Sequence, residues 1–204
     1  MIVCWLGDAG ITITLNPEVT LSDSDYAKKL WEREDLDAFL IAYERATGAR
    51  LTVSSVGERP DFICTQLNGR RIGVELTKVY ASTHERRRLA EFEAVLGWEP
   101  ITGFDIAWQL DEAAHNKDAN LKRGGWRLKH NILVLQVYER PLKEVADALE
   151  NQVLVSEISA GSSFQQIWIA GFHEQEAYSQ IDLYSIKPVR LRGYYPRPFE
   201  KPYG

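Results

Sequence analysis

Two acidic residues stand on neighbouring strands of a predicted β-hairpin. Asp61 begins the first strand and Glu75 lies deep in the second, with an Asn68-Gly69 turn between the two apolar runs. Acids are depleted in strands, and burying an ionised carboxylate costs several kcal/mol unless a partner compensates for it. Two such carboxylates on one hairpin favour a bound cation.

The register of the hairpin decides whether Asp61 and Glu75 can share a cation. A two-residue loop, 68–69, points their side chains to opposite faces, because side chains alternate along a strand. A three-residue loop, 68–70, with a glycine bulge puts Asp61 opposite Thr77 and makes the carboxylates diagonal neighbours about 5–8 Å apart. At about 5 Å, in an effective dielectric near 20, two such charges repel by about 3 kcal/mol, and a divalent metal would reverse that sign. The functional interpretation therefore requires the longer loop.

The residues around this pair resemble the PD-(D/E)XK nuclease superfamily. Pro60-Asp61 is followed fourteen residues later by Glu75, and the phrase ERPDFI…NGRRIGVELTKV is similar to poorly characterised bacterial members whose core reads PDF…G…IGVE-x-T. The resemblance implies an α/β, restriction endonuclease-like fold, a mixed β-sheet flanked by helices, and metal-dependent hydrolysis of phosphodiesters. It also implies that Asp61 and Glu75 ligate Mg²⁺ or Mn²⁺, beside the main-chain carbonyl of Leu76.

The last motif position departs from this pattern. Thr77 stands two residues after Glu75, where the usual motif has lysine, and Lys78 comes one residue later. On a regular strand Lys78 faces away from Glu75, so it reaches the metal only through a bulge or a strand end. For a lysine that reaches the metal, the resemblance implies a role in orienting the attacking water or in neutralising negative charge in the transition state, and Lys78 is the candidate for this role. The departure leaves a second interpretation open, a catalytically inactive protein of the same fold that binds another protein.

The first predicted helix supplies a further candidate acid. It begins near Ser22 or Ser24, runs to about Ala46 and carries an apolar stripe that Glu32 extends by one helical turn. The superfamily often places a glutamate on this helix near the metal, and Glu32 resembles it in spacing; Glu44 is a second candidate. The alternative is that these acids interact with the helix dipole and with basic neighbours on a solvated face.

Basic residues cluster between positions 121 and 130, where there is no acid and where Trp126 lies among them. Basic groups beside an aromatic ring can hold phosphates and stack bases, so this cluster is a candidate nucleic-acid contact, with DNA favoured over RNA. Lys117, on the preceding helix, is a further candidate nucleic-acid contact and lies where related sequences often show lysine, although a solvated position is the simpler interpretation. The alternative for the cluster is a solvated face paired with acids such as Asp118. Its members are Lys122, Arg123, Arg127 and Lys129.

Global properties favour one enzyme-sized domain. The chain has 204 residues, 45% hydrophobic residues and a net charge of −5, so we expect a single domain over 1–204. Within it we expect an N-terminal hairpin at about 1–20 and an extended C-terminal tail from about 188. No apolar run approaches the ~20 residues of a membrane span, which argues against a membrane partner. A homodimer is compatible with these properties.

The cysteines and histidines show which kinds of metal and phosphate sites the sequence disfavours. Cys4 and Cys64 both lie in apolar strand-like runs, which favours buried free thiols in a reducing, cytoplasmic setting. The four histidines show no paired metal-ligand spacing, and no glycine-rich phosphate loop follows a strand. Zinc and P-loop chemistry are therefore disfavoured.

The remaining pattern predicts alternating helices and strands, with Asn131–Tyr138 as a central strand because its apolar run is nearly continuous. The other predicted strands are Leu51–Val56, Gln166–Ala170 and Ile181–Ile186, and the other predicted helices are Glu85–Leu96, Phe104–Lys122 and Leu142–Leu149.

Overall fold

A computed structural model describes residues 23–80, 103–124, 128–138, 140–151, 154–172 and 180–198. The helices in this part of the chain are α1 (Asp23–Thr47), α2 (Gly103–Lys122), α3 (Leu142–Asn151) and α4 (Leu154–Gly161). The strands are β1 (Leu51–Val56), β2 (Phe62–Gln66), β3 (Arg71–Val79), β4 (Asn131–Val137), β5 (Gln166–Gly171), β6 (Asp182–Lys187) and β7 (Gly193–Tyr195). A 3₁₀ turn, Val189–Leu191, connects the last two strands.

Among the described residues, the seven strands form one mixed sheet in the order β1 to β7. The first three strands run antiparallel to their neighbours, β3, β4 and β5 are parallel, and β6 and β7 are again antiparallel. Parallel neighbours require a crossover connection. The connection from β3 to β4 includes α2, and the connection from β4 to β5 includes α3 and α4. The protein is therefore a mixed α/β structure with helices on both faces of the sheet.

The two faces of the sheet bury separate apolar clusters. On one face, α1 contributes Leu36, Phe39 and Tyr43 to a cluster that includes Phe62 and Trp168. On the other face, α2, α3 and α4 pack against the sheet. All seven residues of β4 are buried, as its continuous apolar run predicts for a central parallel strand.

The long predicted elements are confirmed within one or two residues. The first helix ends at Thr47, and Gly48 follows with a φ of 71°, a left-handed conformation that glycine adopts readily. The helix α4 was not predicted, because it is short and includes the start of a serine-rich stretch that resembles a loop. The predicted N-terminal hairpin and the helix at 85–96 lie outside the described residues.

The predicted extended C-terminal tail is interrupted by the 3₁₀ turn at Val189–Leu191. After this turn, residues 193–195 are extended and pair with β6, with Tyr194 opposite Tyr184. The two tyrosines suit a strand at the sheet edge, and pairing to β6 fixes this part of the tail on the sheet. None of the described helices combines the length and apolar character needed to cross a membrane.

The structure describes one of the two cysteines that are predicted to be buried free thiols. Cys64 is a free, fully buried thiol on β2, and burial raises its pKa to about 12. A thiol in that state is not a nucleophile near neutral pH. Cys4 lies outside the described residues.

Candidate functional site

The β2–β3 hairpin has a register that differs from both registers expected from the sequence. Phe62 lies opposite Val74, and the Gln66 N–H donates to the Arg70 carbonyl at 2.9 Å. The loop therefore consists of residues 67–69, and its glycine has a φ of 79°. It is three residues long, as the functional interpretation requires, but it starts one residue earlier than either expected loop.

This register brings Asp61 and Glu75 together at the start of β2. The Asp61 N–H donates to Glu75 Oε2 at 3.3 Å, and the Leu76 N–H donates to Asp61 Oδ2 at 2.9 Å. Each carboxylate therefore accepts a hydrogen bond from the backbone of the other strand through one of its oxygens. The two acids are direct neighbours rather than the diagonal pair that the sequence suggested.

Gly73 lets the chain before Asp61 lie close to β3. A Cβ atom at position 73 would be 2.8 Å from Pro60 Cγ and 2.4 Å from Asn131 Oδ1. Both distances are far below van der Waals contact. Only glycine therefore allows Pro60 to pack on β3 at this point, and this packing helps to set the position of Asp61.

Burial and mutual repulsion perturb the carboxylate pair. The side chains of Asp61 and Glu75 are 15% and 6% exposed. Burial, and then the negative charge of Glu75, raises the pKa of Asp61 to about 6, although the hydrogen bond from the Leu76 N–H opposes this shift. The pair is therefore short of positive charge, and Asp61 holds a proton more readily than an ordinary aspartate does.

Two lysines approach the outer oxygens of the pair. Lys117 Nζ, from α2, lies 2.7 Å from Glu75 Oε1. Lys29 Nζ, from α1, lies 3.8 Å from Asp61 Oδ1 and 2.9 Å from Glu32 Oε2. The structure thus brings Glu32 and Lys117, both predicted site residues, to the same place as Asp61 and Glu75.

Lys29 is a site residue that the sequence analysis missed. Burial lowers its pKa, but the hydrogen bond and charge of Glu32, together with Asp61 and Glu58, outweigh burial and raise the pKa above 10.5. Lys29 is therefore an ammonium in the folded protein. The sequence could have indicated this role, because Lys29 lies three residues before Glu32, on the same side of a helix.

Lys78 does not reach the carboxylate pair. Its Nζ lies 3.2 Å from Asp35 Oδ2 and 5.0 Å from the centre of the Tyr138 ring, on the α1 face of the sheet. The pairing of β3 with β4 runs without interruption from Gly73 to Val79, so no bulge turns Lys78 towards Glu75. The role expected for Lys78 is corrected by this geometry, and Lys117 is the lysine beside Glu75.

Among the described residues, no hydrogen bond or ion pair joins Glu44 or the basic residues after Lys117 to Asp61 or Glu75. Lys122 pairs with Asp118, as the solvated-face alternative proposed, while Arg123 and Lys129 are exposed. Arg127 lies outside the described residues. The second candidate acid, Glu44, is on the exposed side of α1 near Arg50 rather than at the site.

The oxygen donors at the site fit a divalent cation that keeps several water ligands. Carboxylate oxygens, such as those of Asp61 and Glu75, are the hard ligands that Mg²⁺ prefers, and Mg²⁺ often binds through only one or two carboxylates. In the described part of the chain, no group of three or more histidine, cysteine or acidic side chains is arranged to hold a metal. A metal held by Asp61 and Glu75 would therefore take most of its ligands from water.

An open cavity of about 480 Å³ lies beside the carboxylate pair. Glu32 and Lys117 contribute to its lining, and Lys117 Nζ lies 2.7 Å from Glu75 Oε1. Trp31 and Tyr80 also line it, whereas Asp61 and Glu75 do not. The cavity therefore adjoins the carboxylate pair through Glu32 and Lys117.

No protein-family model matches the chain, and no curated protein matches its sequence.

Proposed function

We propose that the protein hydrolyses phosphodiester bonds in nucleic acid with the help of a divalent metal, on a restriction endonuclease-like fold. The observation that carries this proposal is the buried pair Asp61 and Glu75, held together by reciprocal backbone hydrogen bonds at 3.3 and 2.9 Å. A structural role does not require two repelling carboxylates in contact. A metal site does, because a divalent cation converts that repulsion into attraction.

The charge balance supports a cation site rather than a closed ion-pair cluster. Three acids, Asp61, Glu75 and Glu32, meet two lysines, Lys29 and Lys117, so the local charge is 2 − 3 = −1. The exposed Lys28 and Glu58 add one charge of each sign and leave this balance unchanged. The raised pKa of Asp61 is consistent with incomplete compensation of the pair by the lysines.

The roles of the protein groups follow from these positions. Asp61 and Glu75 would hold Mg²⁺ or Mn²⁺, which when bound polarises a phosphate and lowers the pKa of a coordinated water. Lys117 reaches Glu75 Oε1 from α2 on a flexible side chain. It can therefore turn to the phosphate and stabilise the negative charge that develops there. Lys29 holds Glu32 beside Asp61, and its positive charge opposes the rise in the pKa of Asp61.

The position of the carboxylates in the sheet supports the proposal. They lie where the β2–β3 hairpin opens, next to the parallel strand β4, and are approached by Lys29 from α1 and by Lys117 from α2. The resemblance places its metal ligands on the same two strands and a glutamate on the first helix. Lys117 supplies from a helix the positive charge that the motif usually places two residues after the glutamate.

A test compares Asp61→Asn and Glu75→Gln with Glu44→Gln, an exposed glutamate on α1. Plasmid DNA, single-stranded DNA and RNA are incubated with each protein in Mg²⁺, in Mn²⁺ and in EDTA. We expect metal-dependent cleavage by the wild type and by Glu44→Gln, and a loss of more than about 100-fold in the two site variants, because each removes a ligand that binds more strongly in the transition state. Cleavage that survives both site substitutions would refute the proposal.

The alternative, a non-catalytic interaction protein, is favoured by one observation: each outer carboxylate oxygen already faces a lysine. It makes a different prediction for metal binding. If the lysines close the site, Mn²⁺ titrated into the wild type and followed by electron paramagnetic resonance should bind no more tightly than to Glu75→Gln. Tighter binding by the wild type excludes this alternative.

A further inference from the structure

The cavity beside the carboxylates has features that the hydrolytic chemistry does not use. Trp31, on α1, lines this cavity and is 60% exposed. Such exposure is unusual for a large apolar side chain on a helix that packs against a sheet. Tyr80, at the end of β3, lines it as well. Exposed aromatic rings at the rim of a polar cavity provide surfaces on which flat groups stack.

A buried hydrogen-bond donor lines the same cavity. Gln136 is 1% exposed, and its Nε2 has no hydrogen-bond partner within the described residues. It pairs with Lys78 across β3 and β4, so its side chain lies on the α1 face, which is the side of Trp31. A buried amide donor without a partner is costly, so an acceptor on a ligand in the cavity would gain a hydrogen bond that the protein does not supply.

The cavity is lined by lysines that can contact a phosphate. Lys28, Lys78 and Lys117 line it, and each lies within 4 Å of a carboxylate, so a phosphate bound there would share a lysine with its acid. The volume of about 480 Å³ lies within the range of about 300–1,000 Å³ that is typical of small-ligand sites. A stacking ring, a hydrogen-bond donor and lysine ammonium groups together match one nucleotide: the base, its acceptor edge and its phosphate.

We propose that this cavity binds an unpaired nucleotide of the substrate, with the base stacked on Trp31 and its acceptor edge on Gln136 Nε2. The inference rests on the proposed function for the identity of the substrate, and it adds that the substrate is single-stranded or locally unpaired. In a duplex, the neighbouring bases already cover both faces of each base, so Trp31 has no free face to stack on.

The test measures binding of a short fluorescein-labelled oligothymidylate with phosphorothioate linkages, which resist hydrolysis, by anisotropy in Mg²⁺. We expect Trp31→Ala to weaken binding about tenfold, since base–aromatic stacking has about this effect on affinity. Trp31→Phe should retain most of the affinity. Trp108→Ala is the matched control, because Trp108 is 58% exposed on α2 but does not line the cavity. The same strand annealed to oligoadenylate should bind equally to wild type and Trp31→Ala.

A second variant tests the hydrogen-bond donor separately from folding. Gln136→Met keeps the length of the side chain and removes the partnerless donor. We expect it to weaken oligothymidylate binding about fivefold while leaving the thermal midpoint unchanged or raised, because a buried donor without a partner destabilises the free protein. A variant that lowers the midpoint and binds normally would show that Gln136 is only structural.

The outcomes distinguish this inference from the proposed function. Equal binding by wild type and Trp31→Ala, or equal losses in Trp31→Ala and Trp108→Ala, overturns the nucleotide site, even if cleavage depends on Asp61 and Glu75. Binding that depends on Trp31 without cleavage in any metal supports the nucleotide site and overturns hydrolysis. Weaker duplex binding in Trp31→Ala, to the same extent as single-strand binding, also overturns the inference.

Discussion

The strand β3 carries a lysine–carboxylate contact on each of its faces, and the two contacts differ in what surrounds them. On one face Lys117 meets Glu75 at 2.7 Å; on the other Lys78 meets Asp35 at 3.2 Å. Asp35 also accepts a hydrogen bond from the Tyr138 hydroxyl at 2.8 Å. The carboxylate of Asp35 is therefore compensated by one cation and one neutral donor, whereas Glu75 has a second acid, Asp61, beside it.

The comparison shows that the number of charges, rather than the contact distance, separates a structural pair from a candidate reactive one. Both contacts are short and largely buried. The Lys78–Asp35 contact balances its charge, so it can stabilise the packing of α1 on the sheet. The group around Glu75 keeps an excess negative charge, and burial together with the charge of Glu75 raises the pKa of Asp61 to about 6. The following predictions test this distinction.

The largest expected effect is a difference in kcat for cleavage between the variants that lose Lys117 and Lys78. Lys117→Met should lower kcat by more than about 100-fold, because a group that stabilises charge in the transition state typically contributes this much. Lys78→Met should change kcat by less than about threefold, because its Nζ faces Asp35. Steady-state rates on the DNA substrate decide the comparison. Equal losses would show that the two faces of β3 do not differ in function.

The second effect concerns the dependence of stability on pH. Folded Asp61 has a pKa of about 6 against an ordinary 3.8, so the folded state binds the proton more tightly than the unfolded chain. Stability should therefore fall as pH rises through this range, by up to about 3 kcal/mol, and stay at the lower value above it. Asp61→Asn should remove this slope and be more stable than the wild type at pH 7 without metal. Urea unfolding at several pH values provides the measurement.

The control for this prediction is Asp147→Asn, since Asp147 is exposed and paired with Lys143 on α3. It should retain the slope of the wild type. Bound metal and the proton compete for Asp61, so Mg²⁺ should raise the thermal midpoint more at pH 7.5 than at pH 5.5. A slope that persists unchanged in Asp61→Asn would contradict the perturbed state of the pair.

The third effect tests how Asp61 is positioned. Gly73→Ala should destabilise the protein by about 1–3 kcal/mol, because its Cβ would overlap Pro60 and Asn131 and force them to move. It should also lower cleavage, since Pro60 precedes Asp61. Gly161→Ala is the matched control, because a Cβ at position 161 meets nothing within 4 Å. Similar unfolding free energies for the two variants would show that Pro60 adapts without cost.

The smallest effect belongs to the structural contact. Lys78→Met should cost about 1 kcal/mol, a modest value because the lysine side chain is 35% exposed and solvent screens part of the interaction. In a double-mutant cycle with Asp35→Asn, most of this loss should disappear, because the neutral amide no longer needs the cation. Chemical denaturation provides the free energies. Additive effects of the two substitutions would show that the contact contributes nothing to stability.

Much of the fold could be predicted from the sequence because its signals are local. The apolar run at 131–137 indicated the central strand, and the spacing of Leu36, Phe39 and Tyr43 indicated the buried side of α1. The register of the β2–β3 hairpin could not be predicted in the same way. An Asn-Gly pair favours several loops of similar energy, and the hydrogen bond between Gln66 and Arg70 that selects one of them forms only in the assembled hairpin.

The acids of the candidate site could be predicted from local signals, but their partners could not. The acids Asp61, Glu75 and Glu32 were recognisable by residue type and spacing, whereas the partners of each acid depend on elements distant in the chain. Lys117 lies 42 residues from Glu75 and reaches it only because α2 packs on the sheet. Lys78 lies three residues from Glu75 and cannot reach it, because side chains alternate along β3.

The sequence by itself determined which groups are available: two carboxylates of a type that strands rarely carry, a glycine in the second of those strands, and lysines elsewhere in the chain. The tertiary structure alone decided which lysine meets which acid and left a cavity beside the pair. Residue types set the intrinsic charge and chemistry of a side chain, whereas distances between them depend on strand register and helix packing, which are properties of the whole sheet.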